Sequence, residues 1–524
     1  MRRTLVLLAV ILAATPTLQA KSAAPASIEE VTITELQARM KTGALTARAL
    51  TEAYLARIKK LDPKLRSVLE VNPDALAIAG ALDAERKQKG PRGPLHGIPV
   101  LIKDNIATAD RMQTTAGSLA LVGVKPPRDS FVVERLRAAG AVILGKTNLS
   151  EWANMRSPHS SSGWSARGGQ TNNPYALDRN PCGSSSGTGA AIAANLATVG
   201  VGTETDGSVV CPSASQALVG IKPTVGLVSR SGIIPISHNQ DTAGPMARTV
   251  ADAAALLTAM AAPDPADTAT AASTGKATDY TSFIDPDGLR GMRIGVAPKK
   301  AFGSLPATDR VTDAAIAVLK ANGAEVVDPA EIPHLGEYDD AELAVLLTDL
   351  KWDMQRYLED WAPGAKVHTL EDLIAFDTAH ASEELPFFGQ EFFERAVKKG
   401  SFETPEYKKA LQTCHKLARE EGLDATLTKY KLDAILAPTG GTPWLTDLVT
   451  GDHFAMSSST PAAVSGYPAI TVPAGEDHGL PLGITFMGPA WSEAKLIKIA
   501  SGFEHATHAR KPPRMLPSVK LTAH

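Results

Sequence analysis

The 524-residue chain has few cysteines and few aromatic residues. Its three cysteines are too few for a disulfide framework, and they contain no CxxC pair that would predict a zinc site. The odd count leaves at least one thiol unpaired. The cysteines are Cys182, Cys211 and Cys414, and the sequence leaves open whether Cys182 and Cys211 form a disulfide. Aromatic residues make up 5% of the chain, which is more typical of a close-packed α/β enzyme than of an aromatic-rich all-β binding protein.

A strong net charge is also absent. Lys and Arg total 53 against 56 Asp and Glu, the formal net charge is −3, and the chain has no run of like charge. This balance argues against a nucleic-acid partner and against a basic membrane-surface protein. The chain does have 44% hydrophobic residues. That is enough to bury a large core, which excludes a disordered tail or a disulfide miniprotein.

The N-terminal segment has the pattern of a secretory signal peptide. Two arginines precede an apolar run over residues 5–14, and a small-residue exit ends at Ala20. The run is shorter than the ~20 apolar residues that a membrane-spanning helix needs. We therefore expect a signal peptide over residues 1–20, with a buried N-terminal helix as the alternative. The mature domain, residues 21–524, is then secreted or periplasmic, with no membrane attachment after cleavage.

Strand-like and helix-like segments alternate along much of the chain. Residues 97–102 and 141–144 are apolar and predict buried strands, with a helix over 129–139 between them. This alternation favours a mainly parallel sheet covered on both faces. The other predicted elements are two helices within 34–60 separated at Gly43, a helix over 188–197, a strand–helix–strand unit over 288–327, strands at 199–202, 432–436, 469–472 and 484–487, and a final helix over 493–504.

Two segments differ from this alternation. Residues 156–187 are rich in Ser, Gly, Asn and Pro and predict a long loop, which in a compact domain is usually functional or disordered. Residues 338–430 contain longer, more charged helices with scattered aromatic residues. We expect this second segment to be a variable helical insertion or cap.

Three short motifs match known patterns without the structural context that each pattern needs. Residues 140–147 fit the P-loop pattern, but the four residues that must form a phosphate-binding turn are apolar and predict a strand. Residues 492–495 fit an SxxK pattern on a charged helix. His505 and His508 are spaced like a metal-binding pair, but the sequence places no third ligand. We therefore predict no nucleotide or metal site from these motifs.

A fourth motif concerns a serine-rich turn. Residues 183–187 match the nucleophile-elbow pattern GxSxG around Ser185. That pattern requires an apolar strand directly before it. The preceding residues include two prolines and two charges and cannot form a central strand, so Ser185 is not the preferred nucleophile.

Three polar residues next to apolar segments together suggest nucleophilic catalysis. Lys103 ends a predicted strand, Ser184 lies in a turn before a helix, and Ser208 lies in a glycine-bearing turn. A serine hydroxyl needs a base to act as a nucleophile. A lysine serves when burial disfavours its charged form, and backbone N–H groups in a turn can stabilise an oxyanion. Each residue alone is also explained structurally, as a strand end or a helix cap.

The block from Gly97 to Asp252 resembles the amidase-signature hydrolases. The segments that carry the resemblance are HGIPVLIKDNI, GAVILGKTNLSEWAN, CGSSSGTGAA, GTETDGS, ALVGIKPTVGLVSR and DTAGPMARTVAD, with LDAILAPT, GYPAITVP and GLPLGITFMG near the C-terminus. Within the family, the GTETDGS and SGWSARGGQTNNPY variants are similar to those of peptide amidases.

The resemblance implies one large α/β domain with a mixed, twisted central sheet flanked by helices. It also implies a Ser–Ser–Lys triad. Ser208 takes the place of the nucleophile, Ser184 takes the bridging role in a cis peptide, and Lys103 takes the place of the base. It implies no metal and no organic cofactor.

An oxyanion hole is implied as well. Its donors are the backbone N–H groups of Thr205, Asp206, Gly207 and Ser208. The sequence departs from the common family pattern at Glu204, where most relatives have Asp, and at Asp206, where they have Gly. The Arg that is common just after the nucleophile is replaced by Val209, Val210 and Cys211.

From these residues we expect a secreted or periplasmic amidase that removes the C-terminal amide of short peptides. Its partner is a small-molecule or short peptide amide, without nucleic acid or membrane, and the polar loop over residues 156–180 is expected to supply hydrogen bonds to it. The alternatives are a broader-specificity aliphatic or aryl amidase, a non-catalytic binding module of the same fold, and the amidotransferase subunit that acts on tRNA-bound Glu. The sequence predicts neither the oligomeric state nor the side-chain preference.

Overall fold

An eleven-stranded mixed sheet forms the centre of the computed structural model, which describes residues 27–521. The strand order across it is β1-β3-β2-β6-β8-β7-β12-β13-β11-β9-β10, and β4 and β5 form a separate two-stranded ribbon. The predicted signal segment, residues 1–20, lies outside the described residues. In chain order the strands are β1 (Val68–Val71), β2 (Pro99–Lys103), β3 (Val142–Thr147), β4 (Trp164–Ser165), β5 (Gly169–Gln170), β6 (Val199–Glu204), β7 (Val219–Lys222), β8 (Thr242–Ala247), β9 (Arg293–Val296), β10 (Glu325–Val327), β11 (Ala434–Pro438), β12 (Ala469–Asp477) and β13 (Leu480–Met487).

Helices flank the sheet, and a π-helical segment, His415–Asp424, joins two of them. The α-helices are α1 (Ile33–Lys41), α2 (Ala47–Leu65), α3 (Ala75–Lys89), α4 (Phe131–Ala138), α5 (Ser186–Ala193), α6 (Val210–Ala214), α7 (Val250–Met260), α8 (Pro306–Ala321), α9 (Asp339–Trp361), α10 (Leu370–Ala379), α11 (Ala381–Glu384), α12 (Glu391–Ala396), α13 (Pro405–Cys414), α14 (Ala425–Tyr430), α15 (Thr460–Ser465) and α16 (Glu493–Thr507). Across residues 27–521, no helix is both long enough and apolar enough to cross a bilayer.

Local signals in the sequence account for the first two helices. The hydroxyl of Thr32 accepts the N–H of Glu35, and the Glu35 carboxylate accepts the N–H of Thr32, so a capping box starts α1. Gly43 adopts a φ of +76°, which favours glycine and turns the chain. The Thr46 hydroxyl then caps α2. The two helices predicted within residues 34–60 are therefore confirmed.

The prediction of a mainly parallel sheet is wrong, and the mixed sheet is confirmed. In the described part of the chain, parallel pairing joins β2 to β3 and β6, and β9 to β10 and β11. The other pairs are antiparallel. Parallel strands need a crossover connection, and the expectation of helical crossovers applies only to these parallel pairs. The antiparallel strands β12 and β13 are instead joined by a tight hairpin, which needs no helix.

The topology places the end of β2 next to the end of β6. These strands run parallel, with Ile102 opposite Val201. Lys103 is the last residue of β2, and β6 ends at Glu204, directly before the turn over residues 205–208. Because the carboxyl ends of parallel strands meet at the same edge of a sheet, Lys103 and this turn come together.

Residues 338–430 are helical, as predicted. Apolar residues of α9, α10 and α12 form a cluster with Leu149, Trp152 and Ile236 from the sheet-bearing part of the chain. This cluster packs the helical segment against the edge of the sheet that carries Lys103. Its role as a variable insertion or cap stays a prediction.

Candidate active site

Lys103 and Ser184 form a buried hydrogen-bonded pair. Nζ of Lys103 lies 2.7 Å from Oγ of Ser184, and neither residue is exposed to solvent. Nζ also donates to Oγ1 of Thr203 at 2.8 Å and lies 3.3 Å from its carbonyl oxygen. Asn105 holds Thr203 in place, because its Nδ2 donates to the same Oγ1 at 2.9 Å. The lysine amine is therefore fixed by three oxygen atoms.

Burial changes the protonation of this lysine. Desolvation lowers the pKa of Lys103 to about 7, although Asp241 and Glu204 act in the opposite direction. A large fraction of the amine is therefore neutral at physiological pH, as a general base requires.

The segment that carries Ser184 is tied to the segment that carries Ser208. Cys182 and Cys211 form a disulfide, and the N–H of Ser185 donates to the carbonyl oxygen of Ser208 at 3.2 Å. The Gly183–Ser184 peptide bond is cis, as the resemblance implies. These two ties lie on either side of Ser184 and hold it beside the Ser208 turn. The third cysteine, Cys414, is free and buried.

Two glycines are required at these turns. A Cβ atom on Gly183 would lie 2.2 Å from Oγ of Ser150, so a larger residue would force Ser150 to move. Gly207, directly before Ser208, has a φ of +78°, in the left-handed region that favours glycine. The glycines of the two motifs therefore have a direct steric reason.

Glu204 organises the chain after Ser208. One oxygen of its buried carboxylate, Oε2, accepts the N–H groups of Val209 and Val210 at 2.7 and 2.9 Å. Burial raises the pKa of Glu204, and the nearby ammonium of Lys222 opposes that rise. Because these two N–H groups are occupied, they are not free to bind an oxyanion.

Asp241 holds the turn from its other side. Its carboxylate accepts the Thr205 hydroxyl at 2.6 Å and the N–H groups of Ile236 and Ser237 at 2.8 and 3.0 Å. Burial raises the pKa of Asp241 to about 6. Asp241 therefore fixes Thr205 and also acts electrostatically on Lys103.

A cavity of about 340 Å³ opens in front of Ser208. Thr205, Asp206, Gly207 and Ser208, the four predicted oxyanion residues, all line it. Ser208 is 8% exposed, whereas Ser184 is fully buried. The larger apolar side chains of the wall are Met155, Ile236, Leu346 and Phe454. Only Ser208 of the three triad candidates thus faces the space where a substrate fits.

The long polar loop contributes less to this cavity than expected. Of residues 156–180, only Ser162 lies in its wall. The amides of Asn173 and Asn180 instead bond carbonyl oxygens within the protein, and Arg156 is fully buried against Glu151. The expectation that this loop supplies many hydrogen bonds to a peptide is therefore not supported.

The alternative motifs have structural explanations. Residues 142–147 form the buried strand β3, which leaves no phosphate-binding turn. The Oγ of Ser185 donates to the carbonyl oxygen of Thr203 and accepts its N–H, so this hydroxyl is already used. Lys495 of the SxxK motif pairs with Asp433 at the surface at 2.7 Å.

Among residues 27–521, one group of three potential metal ligands lies close together, and it does not include the His505/His508 pair. The group is His238, Asp349 and Asp353. Both oxygens of Asp349 already accept side-chain hydrogen bonds, from Ser237, Asn239 and Tyr407, and His238 binds Asp353 at 2.8 Å. This cluster therefore anchors the loop around residue 238 rather than presenting free ligands.

Sequence reasoning missed the supporting residues Thr203 and Asp241 and the role of Glu204. Thr203 and Glu204 belong to the GTETDGS segment itself. Parallel pairing of β2 with β6 would have placed Thr203 beside Lys103. Asp241 is 36 residues from its partner Thr205, and no local pattern connects them.

The chain is similar to known proteins in both sequence and fold. The chain matches the amidase family over residues 49–497. It is 42% identical to a probable amidase of Arabidopsis thaliana over 94% of this chain and 92% of that one. It is 37% identical to a subunit of the glutamyl-tRNA(Gln) amidotransferase of Chloroflexus aurantiacus, over 93% and 99% of the two chains. The crystal structure of the native peptide amidase from Stenotrophomonas maltophilia superposes with a TM-score of 0.88 at 51% identity, covering 93% of this chain and 99% of that one.

The fold and the family match define a class of hydrolases. The chain belongs to the amidase-signature family. It is an amide-hydrolysing enzyme, structurally similar to peptide amidase.

Proposed function

We propose that this enzyme cleaves carboxamides to acid and ammonia through an acyl-enzyme on Ser208. The observation that carries the proposal is the buried 2.7 Å contact between Lys103 and Ser184, held beside the Ser208 turn. Lys146 and Lys222 are also buried lysines of lowered pKa; Lys103 is the one of these three that contacts a serine hydroxyl beside the Ser208 turn.

The hydrogen bonds of Lys103 suggest how the proton moves. A neutral amine has two N–H donors and one lone pair. The two oxygens of Thr203 match the donors, which leaves the lone pair for the Ser184 hydroxyl proton. Ser184 takes the proton of Ser208 as the Ser208 oxygen bonds to the carboxamide carbon. The backbone N–H groups of the 205–208 turn stabilise the oxyanion.

The remaining steps reverse this relay. The proton returns through Ser184 to the departing nitrogen, the carbon–nitrogen bond breaks, and ammonia leaves. Water then attacks the ester on Ser208, giving its proton to the same chain of groups. The bond between Oγ of Ser208 and the acyl carbon then breaks, the relayed proton returns to Oγ, and the carboxylic acid leaves.

The substrate we propose is the C-terminal amide of a short peptide. The similarity to a peptide amidase supports it, as does an apolar wall that can hold a side chain next to the attacked carbonyl. The cavity lining of the described structure contains no Lys, Arg or His, so a small amide with a carboxylate finds no counter-ion. A broader aliphatic or aryl amidase is the alternative.

We also propose a secreted or periplasmic location. The sequence pattern of residues 1–20 supports it, and so does the Cys182–Cys211 disulfide, since disulfides persist mainly in oxidising compartments. Such a location would separate the chain from tRNA, which argues against an amidotransferase role. N-terminal sequencing of the exported protein tests it, and a mature start near Lys21 is expected.

The decisive experiment measures hydrolysis of three amides by the purified mature protein. Ammonia is measured for a blocked dipeptide amide and for acetamide, and the released amino acid is measured for the same dipeptide extended by one residue with a free carboxyl end, so that the bond becomes internal. Only the first is expected to react rapidly, and Ser208→Ala is the matched inactive control. EDTA is expected to leave the rate unchanged. Equal cleavage of the extended peptide, or preference for acetamide, would leave only the broader amidase.

A further inference from the structure

The cavity in front of Ser208 is lined by acidic side chains and, among the described residues, by no basic one. Among the described residues that line it, the charged side chains are Asp206 and Asp452, and both are acidic. Asp452 serves the fold, because its carboxylate accepts the N–H of Ser162 at 3.0 Å and the side chains of Asn180 and Trp444. Asp206 is the acidic group that is left to meet a substrate.

One carboxylate oxygen of Asp206 lacks a partner. Its Oδ2 accepts the hydroxyl of Thr460 at 2.7 Å. The Ser459 hydroxyl, which also acts on this carboxylate, lies 2.9 Å from Oγ of Ser457. Oδ1 of Asp206 is shielded from solvent and has no hydrogen-bond partner among residues 27–521. A buried carboxylate oxygen left unsatisfied is costly, and a donor from a bound molecule would remove that cost.

The surrounding charges do not neutralise this group. Lys222 acts on Asp206, but it also acts on the buried Glu204, and its Nζ donates to the carbonyl oxygen of Tyr467 at 2.7 Å. On the other side, Glu342 of α9 adds a second buried acid that interacts with Asp206. Burial raises the pKa of both Asp206 and Glu342, and no described cation lines the cavity beside them.

We propose that Asp206 sets the charge preference for the residue that bears the carboxamide, favouring a cationic side chain and rejecting a carboxylate. This inference rests on the proposed function. Asp206 lines the same cavity as Ser208, two residues before it, and the side chain in question leaves the carbon next to the carbonyl that Ser208 attacks. Met155, Ile236, Leu346 and Phe454 pack along the aliphatic part of that side chain.

The test uses three blocked amides that differ only at the end of one side chain. They are N-acetyl-ornithinamide, N-acetyl-norvalinamide and the α-amide of N-acetyl-glutamate, which carry an ammonium, a methyl and a carboxylate. In wild-type enzyme, kcat/KM for the ornithine amide is expected to exceed that for the glutamate amide by more than tenfold, with norvaline between them. In Asp206→Asn, kcat/KM for the ornithine amide is expected to exceed that for the glutamate amide by no more than about threefold. The matched control Asp340→Asn, which removes an exposed acid outside the cavity, keeps the wild-type ratio.

Binding to Ser208→Ala, measured by calorimetry, keeps the inference testable if Asp206→Asn folds poorly. The same order of affinities is expected for the three amides. Equal rates or affinities for the ornithine and glutamate amides overturn the inference, and so does an Asp206→Asn enzyme that keeps the full ratio. Absence of ammonia from all three amides would instead refute the proposed function, while the binding order would still decide the role of Asp206.

Discussion

Protonation of Lys103 should control the acid limb of the pH–rate profile. With a pKa of about 7, roughly three quarters of the amine is neutral at pH 7.5, whereas at the unperturbed 10.5 about one part in a thousand would be. Burial therefore raises the concentration of the active base about 700-fold. We expect kcat/KM to rise with pH through an apparent pKa near 7. Lys103→Arg should be inactive at every pH, because an arginine stays protonated.

The lowered pKa of Lys103 also makes the free energy of unfolding depend on pH, whether or not the enzyme is active. The unfolded lysine keeps its proton up to about pH 10.5 and the folded one loses it near 7, so the unfolded state binds more protons between these values. Stability must therefore rise with pH there. For this one group the gain from pH 7 to pH 9 is about 2 kcal/mol. Urea unfolding of wild type and of Lys103→Met at both pH values measures this gain in the free energy of unfolding. The variant has no lysine at position 103 and should lack the gain.

Asp241→Asn provides the matched control for the assignment. The Asp241 carboxylate raises the pKa of Lys103, and asparagine keeps an acceptor for the Thr205 hydroxyl. The acid limb is therefore expected to move to lower pH. An acid limb at pH 9 or above in wild type would refute this reasoning, and so would an equal pH dependence of unfolding in wild type and Lys103→Met.

Further predictions follow from the same geometry. Ser208→Ala should abolish ammonia release and Ser184→Ala should lower it by about a thousandfold or more, since members of a catalytic unit are rarely additive; wild-type rates in Ser208→Ala would reject the nucleophile. Glu204→Gln, which weakens the charge-assisted bonds to two backbone N–H groups, should lower kcat about tenfold with little change in KM, and an unchanged kcat would show that the turn does not depend on it. Replacing Cys182 and Cys211 by serine opens a loop with a sequence separation of 29 and should cost about 3–4 kcal/mol in urea unfolding. Reduced wild type should then match the variant, and equal midpoints before and after reduction would contradict the estimate.

The parts of the fold that depend on neighbours in sequence were predictable. The capping box of α1, the turn at Gly43 and the apolar strands ending at Lys103 and Thr147 each follow from a short segment. The antiparallel strands β7 and β8 were missed. Their segments, 219–222 and 242–247, contain glycine, lysine and proline, and they become strands because both faces are buried by the rest of the domain.

The candidate site likewise contains residues that the sequence singles out and contacts that it does not reveal. Lys103, Ser184 and Ser208 could be singled out because each adjoins a strand or a turn visible in the sequence, and the family resemblance gave them roles. The surroundings of Asp206 could not be predicted, since Thr460, which donates to its Oδ2, is 254 residues away. Such contacts exist only once the whole sheet is assembled.

Because α9 contributes to the cavity wall, the residues that shape the substrate space and the candidate catalytic residues lie in different parts of the chain. The proposed reactive groups lie within residues 103–208, whereas Leu346 of the cavity wall belongs to a helix more than a hundred residues further along the chain. Substitutions in that helix can reshape the space beside the nucleophile without moving a proton-transfer group. Libraries confined to α9 are therefore the natural starting point for redirecting the enzyme to other amides.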